Sequence, residues 1–228
     1  MGQLADYRIY DHALSALEVK ELSKALVIHY TFDDELLSSY PNLLQNETGL
    51  IQPSGVNNIS ISSTNNRIGK YSGQFNGMNS YIDTPMIKSD MFTSDYTLSF
   101  WVYPLDNGRA VYFGDYNTTG GNFINIERYA EGNFRYWYNG GQNGKDKAVA
   151  GLNAEINKWT MLTVSHSTGV LKFYKNGSYI ESYTLLEPIA KTSGVMRIGR
   201  DGRDATNATA SSSTPFNGYM DDFRFYVT

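Results

Sequence analysis

The chain has no cysteine, which excludes disulfides, thiolate metal sites and cysteine nucleophiles together. No apolar run approaches the ~18 residues of a membrane-spanning helix. The opening Met1–Asp6 lacks the basic-then-apolar pattern of a secretory leader. Charge is scarce and mixed: 18% of residues are charged, the net charge is -4, and Lys and Arg are not clustered. A nucleic-acid-binding face needs clustered cations set against phosphates, so none is expected. His12, His29 and His166 are scattered singly without metal-ligand spacing. Ser165-His166 comes with no acid and no nucleophile elbow, so it does not read as part of a triad.

What is present is aromatic alternation punctuated by Gly, Asn and Ser. The chain carries 18 Tyr, 11 Phe and 21 Gly in 228 residues, a length that can bury a full core without staples. Tyr96–Tyr103 is a β-branched and aromatic run closed by Pro104, and Trp159–His166 is another. Val170–Lys175 and Tyr179–Tyr183 flank Asn176-Gly177, a hairpin signal because both turn residues need positive φ. Further strands are expected at 26–32, 69–76, 79–84, 109–114, 122–128, 133–139, 194–200 and 216–227. So many short strands predict an all-β sandwich or jelly roll.

The first residues repeat the last. In Gly2–Tyr10 and Gly218–Tyr226, Asp6 matches Asp222, Arg8 matches Arg224 and Tyr10 matches Tyr226. The pairs Leu4/Met220, Tyr7/Phe223 and Ile9/Phe225 keep size and polarity. The two copies lie a whole domain apart, which predicts a tandem array rather than a short solenoid. Residues 1–24 then read as the closing strand and helical linker of a preceding similar module, and 25–228 as one complete module. Ser15 and Glu18 form a capping box over 15–24, which reads either as a linker helix or as an amphipathic turn on its own domain.

Five blocks in order carry a family resemblance. They are His29–Asp34; Gly69–Gly77 with Ser80–Ile82; Thr97–Pro104; Trp159 through Asn176-Gly177; and Ile198–Arg200 with Phe216–Tyr226. Together they resemble the laminin-G-like branch of the concanavalin A-like lectin/glucanase superfamily. The resemblance implies a jelly-roll sandwich of two antiparallel sheets, with a short N-terminal strand-helix appendage. It also implies that Trp101 and Trp159 lie in the sandwich interior. A structural Ca²⁺ is implied at Asp33, the Gly77 backbone and Asp222 or Asp221, since calcium takes about six to eight hard oxygens. The competing reading is that these acids accept backbone N–H groups or pair with Arg224.

Hydrolysis is not expected. The glucanase relatives place carboxylates at i and i+2 on one strand, and Glu127 has no such neighbour. Glu127 and Asp115 could meet only through the fold. Sugar recognition instead uses aromatic faces with Asn, Asp and Arg beside them. In Phe134–Asn139, one face of the strand is core and the other carries either Arg135 and Trp137 or Tyr136 and Tyr138. These four residues are ligand candidates, against simple cross-strand packing. The loop from Arg200 to Ser213 is polar and long, so Arg200, Asp201, Arg203 and Asp204 read either as a glycan grip or as solvated charge pairs. Tyr116 belongs to a weaker third rim. The sequence thus predicts a non-catalytic recognition module, most simply for glycans, within an extracellular, cell-surface or virion protein. The alternative is an assembly module that contacts neighbouring modules or a protein partner, with the orphan strand 3–10 adding to a sheet edge; a degenerate glycoside hydrolase ranks last.

Overall fold

A computed structural model describes residues 25–34, 53, 55–84, 90–114, 124–129, 133–141, 143–190, 196–200 and 214–227. Eight strands form one antiparallel sheet in the order β13 (Ser178–Thr184), β12 (Val170–Lys175), β11 (Thr160–Ser167), β6 (Tyr96–Pro104), β15 (Asn217–Val227), β4 (Ser72–Asn76) and β3 (Ser60–Ser62), with β1 (Ala25–Tyr30) also paired to β15. Seven form the second, in the order β10 (Asp146–Asn153), β9 (Asn133–Trp137), β8 (Asn125–Arg128), β7 (Ala110–Gly114), β14 (Met196–Ile198), β5 (Tyr81–Thr84) and β2 (Gly55–Asn57). A single helical turn, α1 (Asp90–Thr93), leads into β6.

Alternation explains the layering. In β6, Tyr96, Leu98, Phe100 and Val102 are buried, and the residues between them are half-buried on the outer face. β11 repeats this with Leu162 and Val164. Phe100 stacks on Phe223 within the eight-stranded sheet, and Phe223 meets Phe113 of the seven-stranded one with centroids 5.3 Å apart. Each ring so buried contributes roughly 1.5–3 kcal/mol over leaving it in water. The hydroxyls of Tyr96 and Tyr136 hydrogen-bond to one another across the two layers. Burial pushes both phenols up from their ordinary pKa.

The expected strands are found, each within a few residues of its expected bounds. The Asn176-Gly177 turn has φ of 50° and 81°, and pairs Lys175 with Ser178. Three strands were not anticipated. β2 and β3 each offer one strong apolar residue among Ser, Asn and Gly, and β10 is interrupted by Gly151 at φ 82° and a register shift. One expectation from the family resemblance is corrected: Trp101 and Trp159 are not interior. Trp101 projects from the outer face of β6 under the Arg67 guanidinium, 4.4 Å from its ring centroid. The half-buried Trp159 donates its indole N–H to Asn65 Oδ1 at 3.1 Å. Residues 1–24, and with them the expected closing strand and linker helix, lie outside the described residues.

Candidate functional site

The outer face of the seven-stranded sheet carries the candidates Arg135 and Trp137. In β9, Phe134 and Tyr136 point inward, and Tyr138 just beyond the strand is also core. Tyr136 and Tyr138 are both 0% exposed, so the expectation that they contact a ligand is corrected: they are packing residues. The strand's other face carries Arg135 and Trp137. Of the two arrangements the alternation permitted, the fold selects this one, because aromatic residues at 134, 136 and 138 together fill the core.

Arg135 is held as a plate between two rings. Its guanidinium lies 3.6 Å from the Tyr129 centroid and 4.0 Å from that of Trp137, a desolvated cation–π geometry. Beneath it sits Glu127, projecting from β8 and 0% exposed. Arg135 Nε donates to Glu127 Oε1 at 2.6 Å, and Arg109 Nε and Nη2 donate to Oε2 at 3.0 and 2.9 Å. The buried carboxylate is therefore paired with two guanidinia, one on each oxygen. Asp146 of β10 lies 3.7 Å from Arg135 Nη1 on the far side. Tyr129 is 38% exposed, and Trp137 is half-buried against the turn at Gly141, where a Cβ would come within 2.1 Å of its Cε3. The result is a rigid platform of one guanidinium and two aromatic rings. Sequence reasoning missed Tyr129, Arg109 and the clamp on Glu127, because only strand pairing brings β8 and β9 together at Glu127–Arg135.

Next along the same face runs a polar row. Register aligns Asp83, Arg197, Gly114, Asn125, Trp137 and Asp146 across β5, β14, β7, β8, β9 and β10. Arg197 Nε donates to Asp83 Oδ1 at 2.6 Å and stacks over the Tyr81 ring. Arg200 is 4% exposed beyond the end of β14, hence not a solvent-facing grip. Asp201, Arg203, Asp204 and Tyr116 lie outside the described residues.

The three positions implied for calcium do not form a site. Asp33 Oδ1 accepts the backbone N–H groups of Lys70 and Tyr71 at 2.7 and 3.0 Å. Asp222 Oδ1 is bonded by His29 Nε2 at 2.8 Å and by Arg224 Nε at 2.9 Å. Burial opposes ionisation of Asp222, yet His29 and Arg224 hold its pKa below the ordinary value. Gly77 sits at the other end of β15, where its N–H donates to Phe216 carbonyl oxygen. Five residues of extended strand from 217 to 222 span roughly 16 Å, too far for shared ligation. Asp221, beside Asp33 and Asp222, accepts the N–H groups of Arg67 and Ile68 at 2.8 and 2.9 Å, and burial pushes its pKa up to about 6. Among the described residues no group of three His, Asp or Glu could hold a metal ion. Asp33 and Asp221 hold the backbone of the 67–71 turn, while Asp222 pairs with His29 and Arg224.

Comparison with known proteins fits this architecture. The sequence profile of the concanavalin A-like lectin/glucanases superfamily, in its laminin-G-like form, matches residues 75–228. The chain belongs to that family. No curated protein matches the sequence significantly. Among solved structures, domain 4 of AbnA, an extracellular GH43 arabinanase from Geobacillus stearothermophilus, solved in complex with arabinotriose, superposes with TM-score 0.65 at 22% identity, covering 90% of this chain and 93% of that one. The binding domain of Paraclostridial Mosquitocidal Protein 1 gives 0.61 at 16% identity, covering 89% of this chain and 48% of that one. The botulinum neurotoxin serotype D binding domain gives 0.60 at 13% identity, covering 90% and 48%. The chain thus spans about half the length of these two toxin binding domains. Among the described residues no helix is long and apolar enough to cross a membrane.

Proposed function

We propose that this chain is a non-catalytic carbohydrate-recognition module of a larger extracellular, cell-surface or virion protein. The observation that carries the proposal is the Tyr129–Arg135–Trp137 platform clamped on Glu127. Sugar C–H faces stack on aromatic rings, and the guanidinium fixes the two rings in place. The Glu127 clamp also argues against hydrolysis. Both carboxylate oxygens are taken by guanidinia, whereas a glycosidase needs a carboxyl free to protonate the leaving oxygen and a second one facing it. Arabinotriose, bound by the AbnA domain, is the first oligosaccharide to try. Binding is weak per site on this reading, and repetition along an array strengthens it.

The test is a glycan array followed by titration calorimetry with wild type, Tyr129→Ala and Trp137→Ala. Loss of about threefold to tenfold in affinity in both variants supports the platform, since stacking contributes about 0.5–1.5 kcal/mol. Equal affinity in all three proteins overturns it. One observation favours the assembly reading: Met78, Leu105 and Ile156 are 70, 38 and 40% exposed. They lie at one end of the sandwich, tied together by Gly77 to Phe216, Leu105 to Asn217 and Asn157 to Pro104 backbone bonds. Sedimentation showing concentration-dependent association that Met78→Ser abolishes would shift the assignment to that class.

A further inference from the structure

We propose that Asn125 reads a sugar hydroxyl in a subsite floored by Gly114, and this rests on the carbohydrate reading above. Ile126 points into the core, so Asn125 and Glu127 on either side of it face outward from β8. Register places Asn125 between Gly114 and Trp137, and Arg197 on the far side of Gly114. Gly114 has no side chain to fill this position. A Cβ there would lie 1.9 Å from Asn125 Oδ1, so the amide leans over the glycine and any larger residue would push it aside. The side-chain space over Gly114 is thus taken by the Asn125 amide, which stands in the row between Arg197 and the Trp137 indole.

Asn125 is 3% exposed, and its Oδ1 has no hydrogen-bond donor. Buried carbonyl oxygens are rarely left unpaired, because the lost hydration goes uncompensated. The neighbouring acids are satisfied differently: Asp83 takes Arg197, and Glu127 takes Arg109 and Arg135. Among the described residues Asn125 Oδ1 is the one buried acceptor of that row without a donor. The missing partner is an O–H or N–H brought from outside. A neutral sugar supplies hydroxyl donors without the charge that an ammonium would add beside Arg197. Such a subsite selects for a hydroxyl at one ring position, because an analogue lacking it leaves the carbonyl unpaired.

The experiment is calorimetry and thermal melting of wild type, Asn125→Ala, Gly114→Ala and Trp137→Ala. The probes are arabinotriose and the strongest neutral oligosaccharide of the array. The expected result is an affinity loss of at least about tenfold for Asn125→Ala with no fall in melting temperature, since removing an unpaired acceptor breaks no bond. Gly114→Ala should lose affinity as well. If Asn125→Ala binds as wild type does while Trp137→Ala does not, the inference fails and the platform stands. A lower melting temperature with unchanged affinity assigns the amide a structural role and also overturns it. If wild type binds no sugar on the array, the carbohydrate reading itself fails.

Discussion

Replacing Glu127 by Ala tests whether the platform is held from below. The carboxylate is wholly buried and receives Arg135 Nε at 2.6 Å and two bonds from Arg109 at 2.9 and 3.0 Å. Its loss does not fall equally on the two cations. The Arg109 side chain is 35% exposed and can rehydrate. That of Arg135 is 9% exposed, and its remaining carboxylate, Asp146, stands 3.7 Å away. One trapped cation places the cost at the low end of the range for breaking a buried pair, about 3 kcal/mol. For a domain of this size that lowers the melting temperature by about 6–12 °C. Glu127→Gln retains one acceptor oxygen and should cost about half as much. The assay is urea denaturation and calorimetric melting of wild type, both variants, Arg135→Met and the Glu127→Gln/Arg135→Met double mutant. The double mutant should recover part of the loss, because removing both partners strands neither. A Glu127→Ala cost below about 1 kcal/mol would refute the reasoning, since that is the ordinary scale of a solvated surface pair.

Two further predictions address stability. Asp221 has a folded pKa of about 6 against an ordinary 3.8. The protonated acid is thus favoured in the folded state, and its stabilising contribution is present below about pH 4 and lost as pH rises to about 6. Asp221→Asn keeps an oxygen for the Arg67 and Ile68 N–H groups, so it should raise stability at pH 7 by about 2 kcal/mol and remove that slope; melting curves from pH 4 to 7 that coincide in slope for both proteins would refute this. Tyr136→Phe removes the inter-sheet hydroxyl pair with Tyr96 and should cost about 1 kcal/mol by urea denaturation. It should leave oligosaccharide affinity unchanged; a changed affinity would return Tyr136 to the binding face.

Local pattern carried the strand set. Runs such as Tyr96–Pro104 and Val170–Lys175 alternate so strongly that pleat and burial coincide, and Asn176-Gly177 admits one turn geometry. Where pattern was thin, as in Gly55–Asn57 or Asp146–Asn153, the strand exists because neighbours pair with it, and no local window contains that information. The same limit governed the site. Alternation narrowed 134–138 to two sets of residues, yet which set faced water was decided by the aromatic core opposite, where the Tyr96 and Tyr136 hydroxyls pair. Trp101 lies on the outer face of its own strand, although the resemblance implied interior. By itself the sequence determined an all-β sandwich of a known family, the absence of thiol chemistry, and a stretch rich in aromatics and arginine. Only the tertiary structure decided that Asp33, Asp221 and Asp222 take backbone and side-chain donors, that Glu127 lies under two guanidinia, and that Asn125 meets Gly114. Those pairings join strands whose partners are distant in the chain, and register between strands is set by packing of the whole sheet.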